Sequence, residues 1–257
     1  MNFFVTHYQN HLEITYFSKP ELNQPNMVVA WPGMGLIAKI SADYLRRRLN
    51  AKLFAEVVYY HNILIYNNSF GELAPIKHRF YYVKEKDLII LVGDTQPSIP
   101  EETFRLADLV IKVAEAFKVK RIYSIAAFPG ENEGEPKVYG ICNQENLKPV
   151  LEDYDVDSIN EEGAVNGLNG IIIGVAKKRG IEGICLMGDI KYANVPQHLA
   201  AKAILLKLSS FINIDLDTSL LDKRAKRIDA SIKKRLAIYE EDLDLIPKKE
   251  KKLDYIS

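Results

Sequence analysis

The sequence predicts an α/β protein built on a mainly parallel sheet flanked by helices, and three observations predict it. Short, unbroken apolar runs at Met27–Trp31, Leu88–Val92 and Ile122–Ala127 read as strands buried on both faces. Each run stops at a turn rich in glycine or proline: Pro32-Gly33-Met34-Gly35, Gly93-Asp94 and Pro129-Gly130. Between the runs lie segments whose apolar residues recur every three or four positions, the period of a helix with one buried face.

Taken in order, Phe3–Tyr8 and His11–Phe17 predict an N-terminal hairpin around Gln9-Asn10, with alternation at Leu12, Ile14 and Tyr16. After a connector holding Pro20 and Pro25 comes the strand Met27–Trp31. A helix follows, with Leu36, Ile37, Ile40, Tyr44 and Leu45 at helical spacing. Phe54–Tyr60, Ile63–Tyr66 and Arg79–Val83 are β-like. Ser98-Ile-Pro-Glu101 has the form of a capping box with proline in the first turn, so a helix should start there and bury Phe104, Ala107, Ile111 and Ala114.

The polar, acidic stretch Glu131–Glu162 reads as an insertion with a strand at Val138–Cys142. A helix at Gly167–Arg179 stopped by Gly180, a strand at Gly183–Met187 and a helix at Pro196–Phe211 then resume the alternation. The last of these helices aligns Leu199, Ala203, Leu206 and Ser210. Beyond Asp217 a charged amphipathic helix runs to about Leu245. The expected division is a core domain over 1–217, a helical extension over 218–246 and an exposed tail over 247–257.

Lys and Arg together number 34 and so do Asp and Glu, which leaves none of the basic excess that nucleic-acid or anionic-membrane binding draws on. Neither class of partner is expected. Cys142 and Cys185 are far apart and set among apolar residues, so neither a disulfide framework nor a zinc site is expected. No apolar run approaches the ~20 residues that span a bilayer, and the N-terminus lacks a signal-peptide pattern, so the expected location is the cytoplasm.

Gly33-Met-Gly35-Leu-Ile-Ala38 satisfies the dinucleotide fingerprint G-x-G-x-x-A, with Glu56 about 18 residues beyond Ala38. Pro32 is unusual within such a turn and no second cofactor signature accompanies it, so a tight strand-to-helix turn is the preferred reading and no cofactor is assigned. Gly33, Gly35, Asp94, Gly130 and Asp189 all fall at carboxyl ends of predicted strands, where ligands of open parallel sheets bind. Asp94 and Asp189, in LVGD and LMGD, can serve as a carboxylate pair or simply cap local amides, and capping is the preferred reading.

No catalytic residue is assigned, since no G-x-S-x-G elbow occurs and Ser98 and Ser124 have no neighbouring histidine motif. No metal site is assigned either, because His7 and His11 flank the predicted hairpin turn. Gly163, Gly167 and Gly170 lack the Gly-Lys-Ser/Thr of a phosphate loop and suit close helix packing or a tight helix entry.

The run VVAWPGMGLIAKISADYL from Val28 to Leu45, with Trp31, Pro32, Gly33 and Gly35 at its centre, resembles the signature of the proteasome assembly chaperone family, second-subunit type. Gly93-Asp-Thr-Gln-Pro97, Gly163–Gly174 and Gly183–Gly188 follow in the family's order. The resemblance implies a three-layer α/β core similar to purine nucleoside phosphorylases, self-association into a homo-oligomer, and non-catalytic binding of proteasome α-type subunits. In some archaeal relatives the tail ends in a hydrophobic-tyrosine-any-residue motif that enters pockets between α subunits. The tail here ends Leu253-Asp-Tyr255-Ile256-Ser257, with tyrosine third from the end rather than penultimate.

Three readings of function follow. The first is a proteasome-related chaperone or adaptor that docks through Leu253, Tyr255 and Ile256. The second is an enzyme or binding protein for a nucleoside or phosphate-bearing ligand at the strand-end crevice. The third is a self-assembling protein whose helix after Asp217 packs between subunits.

Overall fold

In the computed structural model the described residues are 12, 14–67, 70–130, 134–159 and 162–244, with backbone alone at 60–67, 72–74 and 236–244. The strands are β1 (Ile14–Tyr16), β2 (Asn26–Ala30), β3 (Lys52–Asn67), β4 (Phe70–Val83), β5 (Leu88–Gly93), β6 (Arg121–Pro129), β7 (Val138–Cys142), β8 (Asp157–Ser158) and β9 (Glu182–Ile190). They form one mixed sheet in the order β1-β3-β4-β5-β2-β6-β9-β7-β8. Its centre, β5-β2-β6-β9, is parallel, and these are the unbroken apolar runs. The β3–β4 hairpin and β7 join the flanks antiparallel.

Six helices cover the sheet: α1 (Ile37–Arg48), α2 (Pro100–Ala116), α3 (Lys148–Asp153), α4 (Leu168–Lys178), α5 (His198–Phe211) and α6 (Ser219–Asp244). Alternate strand residues serve two cores, as the period of two requires. Val28, Ala30, Ile90 and Ile184 pack with α1, α5 and the first turns of α6, whereas Met27, Val29, Leu91 and Cys185 pack with α2 and α4. The result is the three-layer α/β arrangement that the alternating pattern predicts.

Several local expectations shift. Ser98 does not cap α2: the N-cap is Ile99, which makes no side-chain cap bond, and Pro100 occupies the first turn. Phe104 is 53% exposed although Ala107, Ile111 and Ala114 are buried, because Leu106, Val110 and Val113 fill the rest of that face. The buried face of α5 is Ala200, Ala201, Ile204, Leu205 and Leu208, so Leu199 and Leu206 point outward. The helix after Asp217, read as one that packs between subunits, turns Leu221 wholly into the chain's own core.

The β-like segments between α1 and α2 prove to be one long hairpin. β4 pairs with β5 only over His78–Val83, and β1 pairs with β3 only over Ala55–Val57. From Val58 to Lys77 the hairpin therefore continues past the parallel strands' carboxyl ends as a two-stranded ribbon among the described residues. Of the predicted N-terminal hairpin, Ile14–Tyr16 is a strand edge against β3, and Phe3–Tyr8 with His7 and His11 lies outside the described residues.

Candidate functional site

The parallel strands end together, and their carboxyl ends bring Trp31, Pro32, Gly33, Gly35, Asp94, Gly130 and Asp189 to one end of the molecule. Trp31, the only tryptophan, is fully buried. Its indole Nε1–H donates to His78 Nδ1 at 3.1 Å. Its backbone is clasped by Asn169 of α4, which accepts from Trp31 N–H and donates to Trp31 C=O, each at 3.0 Å. That clasp supplies the hydrogen bonds that a strand partner would otherwise give the end of β2.

Gln96 makes the second cross-link. Its amide donates to Pro32 C=O at 2.6 Å and accepts from Leu168 N–H at 2.6 Å, fastening the turn after β2 to the start of α4. Gly167 sits at φ +77°, and a Cβ there would lie 2.5 Å from Gln96 Oε1. Gly167 thus serves the entry to α4. Gly170 is needed for another reason, since a Cβ there would meet Val165 O at 2.2 Å.

The fingerprint glycines behave differently from each other. Gly33 is extended, at φ −153°, and a side chain there would find nothing closer than 3.7 Å. Gly35 is left-handed at φ +62°, and the space a Cβ would take is filled by Gln197 Cγ at 2.7 Å. Gly35 N–H donates to Ala193 C=O and Gln197 N–H donates to Gly35 C=O, so the loop after β9 lies across the entrance to α1. The close backbone approach that a pyrophosphate would exploit is used here by the protein's own loop.

The two strand-end aspartates do not form a pair. Three inter-strand spacings separate β5 from β9 in the sheet order, which is about 14 Å at 4.8 Å per strand. Asp94 accepts from Lys77 N–H at 3.2 Å and from Arg79 Nη1 at 3.1 Å, with Lys39 at 3.9 Å, tying the end of β5 to the root of the ribbon. Asp189 is 7% exposed; its Oδ1 has no hydrogen-bond partner and would lie 2.0 Å from a Cβ at Gly130. Capping describes Asp94, whose partner is an amide of the adjacent strand. It does not describe Asp189.

Burial pushes His78 down to about 4, against the weaker opposing pull of Asp94, so the imidazole is neutral near pH 7. Tyr59 stacks on it with ring centroids 5.5 Å apart, and burial together with Glu102 pushes the Tyr59 hydroxyl up to about 12. Cys185 is fully buried and is pushed up to about 11 by that burial, which keeps it a protonated thiol. Among the described residues no cluster of His, Cys, Asp and Glu is arranged to hold a metal.

Around this end several large apolar side chains are exposed. Met34, Leu36, Ile99, Tyr192 and Leu199 lie in loops after parallel strands or in the first turn of the next helix, Phe104 lies in the second turn of α2, and each is 41–53% exposed. Sequence reasoning placed the strand ends but missed Gln96, Asn169 and Gln197. Leu253, Tyr255 and Ile256 lie outside the described residues.

A model of the PAC2 family matches residues 27–236. An uncharacterized protein of Methanocaldococcus jannaschii is 29% identical over 238 residues, which span 90% of this chain and 91% of that protein. Among solved structures, Pyrococcus furiosus PbaB, an archaeal proteasome activator, is 30% identical with a TM-score of 0.79, covering 88% of this chain and 99% of its own. Pyrococcus furiosus PbaA, an archaeal homolog of proteasome-assembly chaperone, shares the fold at a TM-score of 0.73 and 20% identity, over 90% of this chain and 94% of its own.

Proposed function

We propose, given that this chain belongs to the PAC2 family, that it is a non-catalytic protein-binding homo-oligomer acting as a proteasome assembly chaperone or proteasome-binding adaptor. The observation that carries this reading is the character of the strand-end surface. Over the ends of β2 and β5, Gln96 and Asn169 fill the space with hydrogen bonds to backbone and Gln197 packs on Gly35, and exposed apolar side chains lie nearby. Exposed apolar side chains beside a filled strand end suit a protein partner.

The likeness to a proteasome activator and to a proteasome-assembly chaperone homolog supports the choice of partner class. Self-association is supported by Leu36 and Leu220, exposed by 42% and 40%, which line one groove between α1 and α6. Docking is assigned to Leu253, Tyr255 and Ile256: the tyrosine ring supplies apolar area with a polar tip, beside two aliphatic side chains. Several tails on one symmetric oligomer raise the effective affinity of a weak peptide.

The test is binding to an assembled proteasome core by the wild type, by Tyr255→Ala and by a form lacking residues 253–257. Binding by the wild type that drops about tenfold or more in both variants is expected for a hot-spot aromatic. Equal binding by all three removes the docking role.

A further inference from the structure

A groove of about 190 Å³ lies between α1 and the first turns of α6. It follows α1 from Leu36 to Arg48, about 18 Å at 1.5 Å per residue. Its apolar lining is Leu36, Ile40, Tyr44 and Leu220, and its charges are Lys39, Arg47, Arg48 and Arg224 against a single carboxylate, Asp43. That carboxylate is already held by Lys39 at 3.5 Å and by Arg46 at 2.9 Å, and Arg48 is paired with Asp217. Arg47 and Arg224 make no ion pair among the described residues, so two uncommitted guanidinium groups stand beside exposed leucines. The volume is below the ~300 Å³ at which pockets for drug-sized ligands begin, and an apolar groove with a cationic rim suits an acidic protein segment.

Equal numbers of acidic and basic residues mean that a basic surplus here is offset by acidic surface elsewhere. The turn from Glu152 to Asp157, between α3 and β8, is such a surface, with four carboxylates in six residues. Glu152, Asp153, Asp155 and Asp157 are exposed, and among the described residues Lys207, 3.9 Å from Asp155, is the only cation at ion-pair distance. The turn is pre-organised: Asp155 N–H donates to Glu152 C=O and Val156 N–H to Leu151 C=O, each at 3.0 Å, while Leu151 and Val156 are buried. At its centre Tyr154 stacks on Phe211 of α5, with ring centroids 4.5 Å apart, and is still 37% exposed.

We propose that the groove is filled by the Glu152–Asp157 turn of a second copy of this chain, with Tyr154 laid on Leu36 and Leu220 and the flanking carboxylates paired with Arg47 and Arg224. This contact rests on the homo-oligomer reading and deepens it by naming both halves of the interface. The tyrosine ring gains apolar contact and a guanidinium over its face, and each arginine gains the carboxylate it lacks. Within one chain the two halves stand apart: β2, which leads into α1, is four inter-strand spacings from β8, about 19 Å at 4.8 Å per strand. Each copy carries one groove and one turn, so the contact either occurs twice across a two-fold axis or runs head to tail and closes as a ring.

The test reverses the charge of each half in the full-length protein. Arg47→Glu with Arg224→Glu makes the groove acidic, and Glu152→Lys with Asp153→Lys makes the turn basic; none of these four side chains takes part in an ion pair of its own chain among the described residues. Mass is followed by light scattering over a dilution series for the wild type, each double variant and an equimolar mixture of the two. Each variant alone should dissociate at a concentration about tenfold or more above that of the wild type, since like charges then face each other. The mixture should associate again near the wild-type concentration, because the acidic turn of one variant meets the basic groove of the other and the lysine turn meets the glutamate groove.

Unfolded variants do not restore one another, so recovery in the mixture separates repulsion from damage. A wild type that runs as a single chain removes the self-association reading, and this contact with it. An oligomeric wild type whose dissociation ignores both reversals overturns the contact alone and leaves the groove to an acidic segment of another protein. Weakening in both variants without recovery in the mixture also overturns it.

Discussion

Trp31 and His78, 47 residues apart, are locked together inside the sheet: the indole Nε1–H donates to His78 Nδ1 at 3.1 Å, with the ring planes 61° apart. The bond requires an unprotonated Nδ1, so the tryptophan reads the charge state of the histidine. Gly93, beside them, has no room for a side chain, because a Cβ there would lie 2.0 Å from Trp31 Cδ1 and 2.7 Å from His78 Nδ1.

This pairing sets a pH dependence. His78 takes a proton near pH 6.5 when unfolded but only at about 4 when folded, so the unfolded chain binds more protons between those values. The stability of the neutral pair is fully present above about pH 6.5 and is lost as pH falls toward 4, at about 1.4 kcal/mol per pH unit. Urea unfolding followed by Trp31 fluorescence should show this slope, and His78→Gln, which cannot take up that proton, should flatten it relative to the wild type.

The glycines separate by geometry. Gly33→Ala should change stability by no more than about 0.5 kcal/mol, since the backbone is extended and the nearest atoms are 3.7 Å away. Gly35→Ala should cost about 1–3 kcal/mol, from positive φ and from the contact with Gln197. Gly93→Ala should cost about 3 kcal/mol and shift the tryptophan emission. Equal thermal midpoints for the Gly33 and Gly35 variants would refute the distinction.

Asn169→Ala strips both partners from the buried Trp31 backbone, and each unsatisfied group costs about 1–3 kcal/mol. Asn169→Asp can still accept from Trp31 N–H but places an acceptor against Trp31 C=O, so it should rescue little. Denaturant midpoints for the two variants, compared with an exposed control such as Asn23→Ala, test the clasp.

Self-association should be visible by light scattering as a mass that is a multiple of the single chain. Leu36→Asp with Leu220→Asp places two charges in the groove between α1 and α6 and should move the mass toward that of one chain. An unchanged multiple would place the interface elsewhere.

The four parallel strands were legible because burial on both faces leaves an unbroken apolar run, a pattern that survives without knowledge of neighbours. Helix faces were legible to within a residue or two: Leu199 and Leu206 share a period with Ala203, yet the adjacent stripe through Ile204 and Leu208 is the one that meets the sheet. The polar cross-links were not legible. Asn169 meets Trp31 across 138 residues and Gln96 meets Leu168 across 72, and in sequence each stands among glycine and turn residues where an amide side chain looks solvated. Only the meeting of strand ends gives these amides a backbone to bind. Asp94 and Asp189 share the same local motif, but Asp94 bonds to β4 while Asp189 packs against Gly130, so repetition in sequence carried no information about a shared site.

The β3–β4 ribbon has a mechanical consequence. It is anchored at its root, where Arg79 and Lys77 hold Asp94 and Tyr59 stacks on His78, and from Lys77 to Phe70 it extends about 24 Å at 3.4 Å per residue. A rigid lever of that length multiplies motion: a tilt of about 10° at the root carries Asn67 and Phe70 through about 4 Å. Reordering of the ring stack around His78 that tilts the ribbon as one body is enlarged at those two residues.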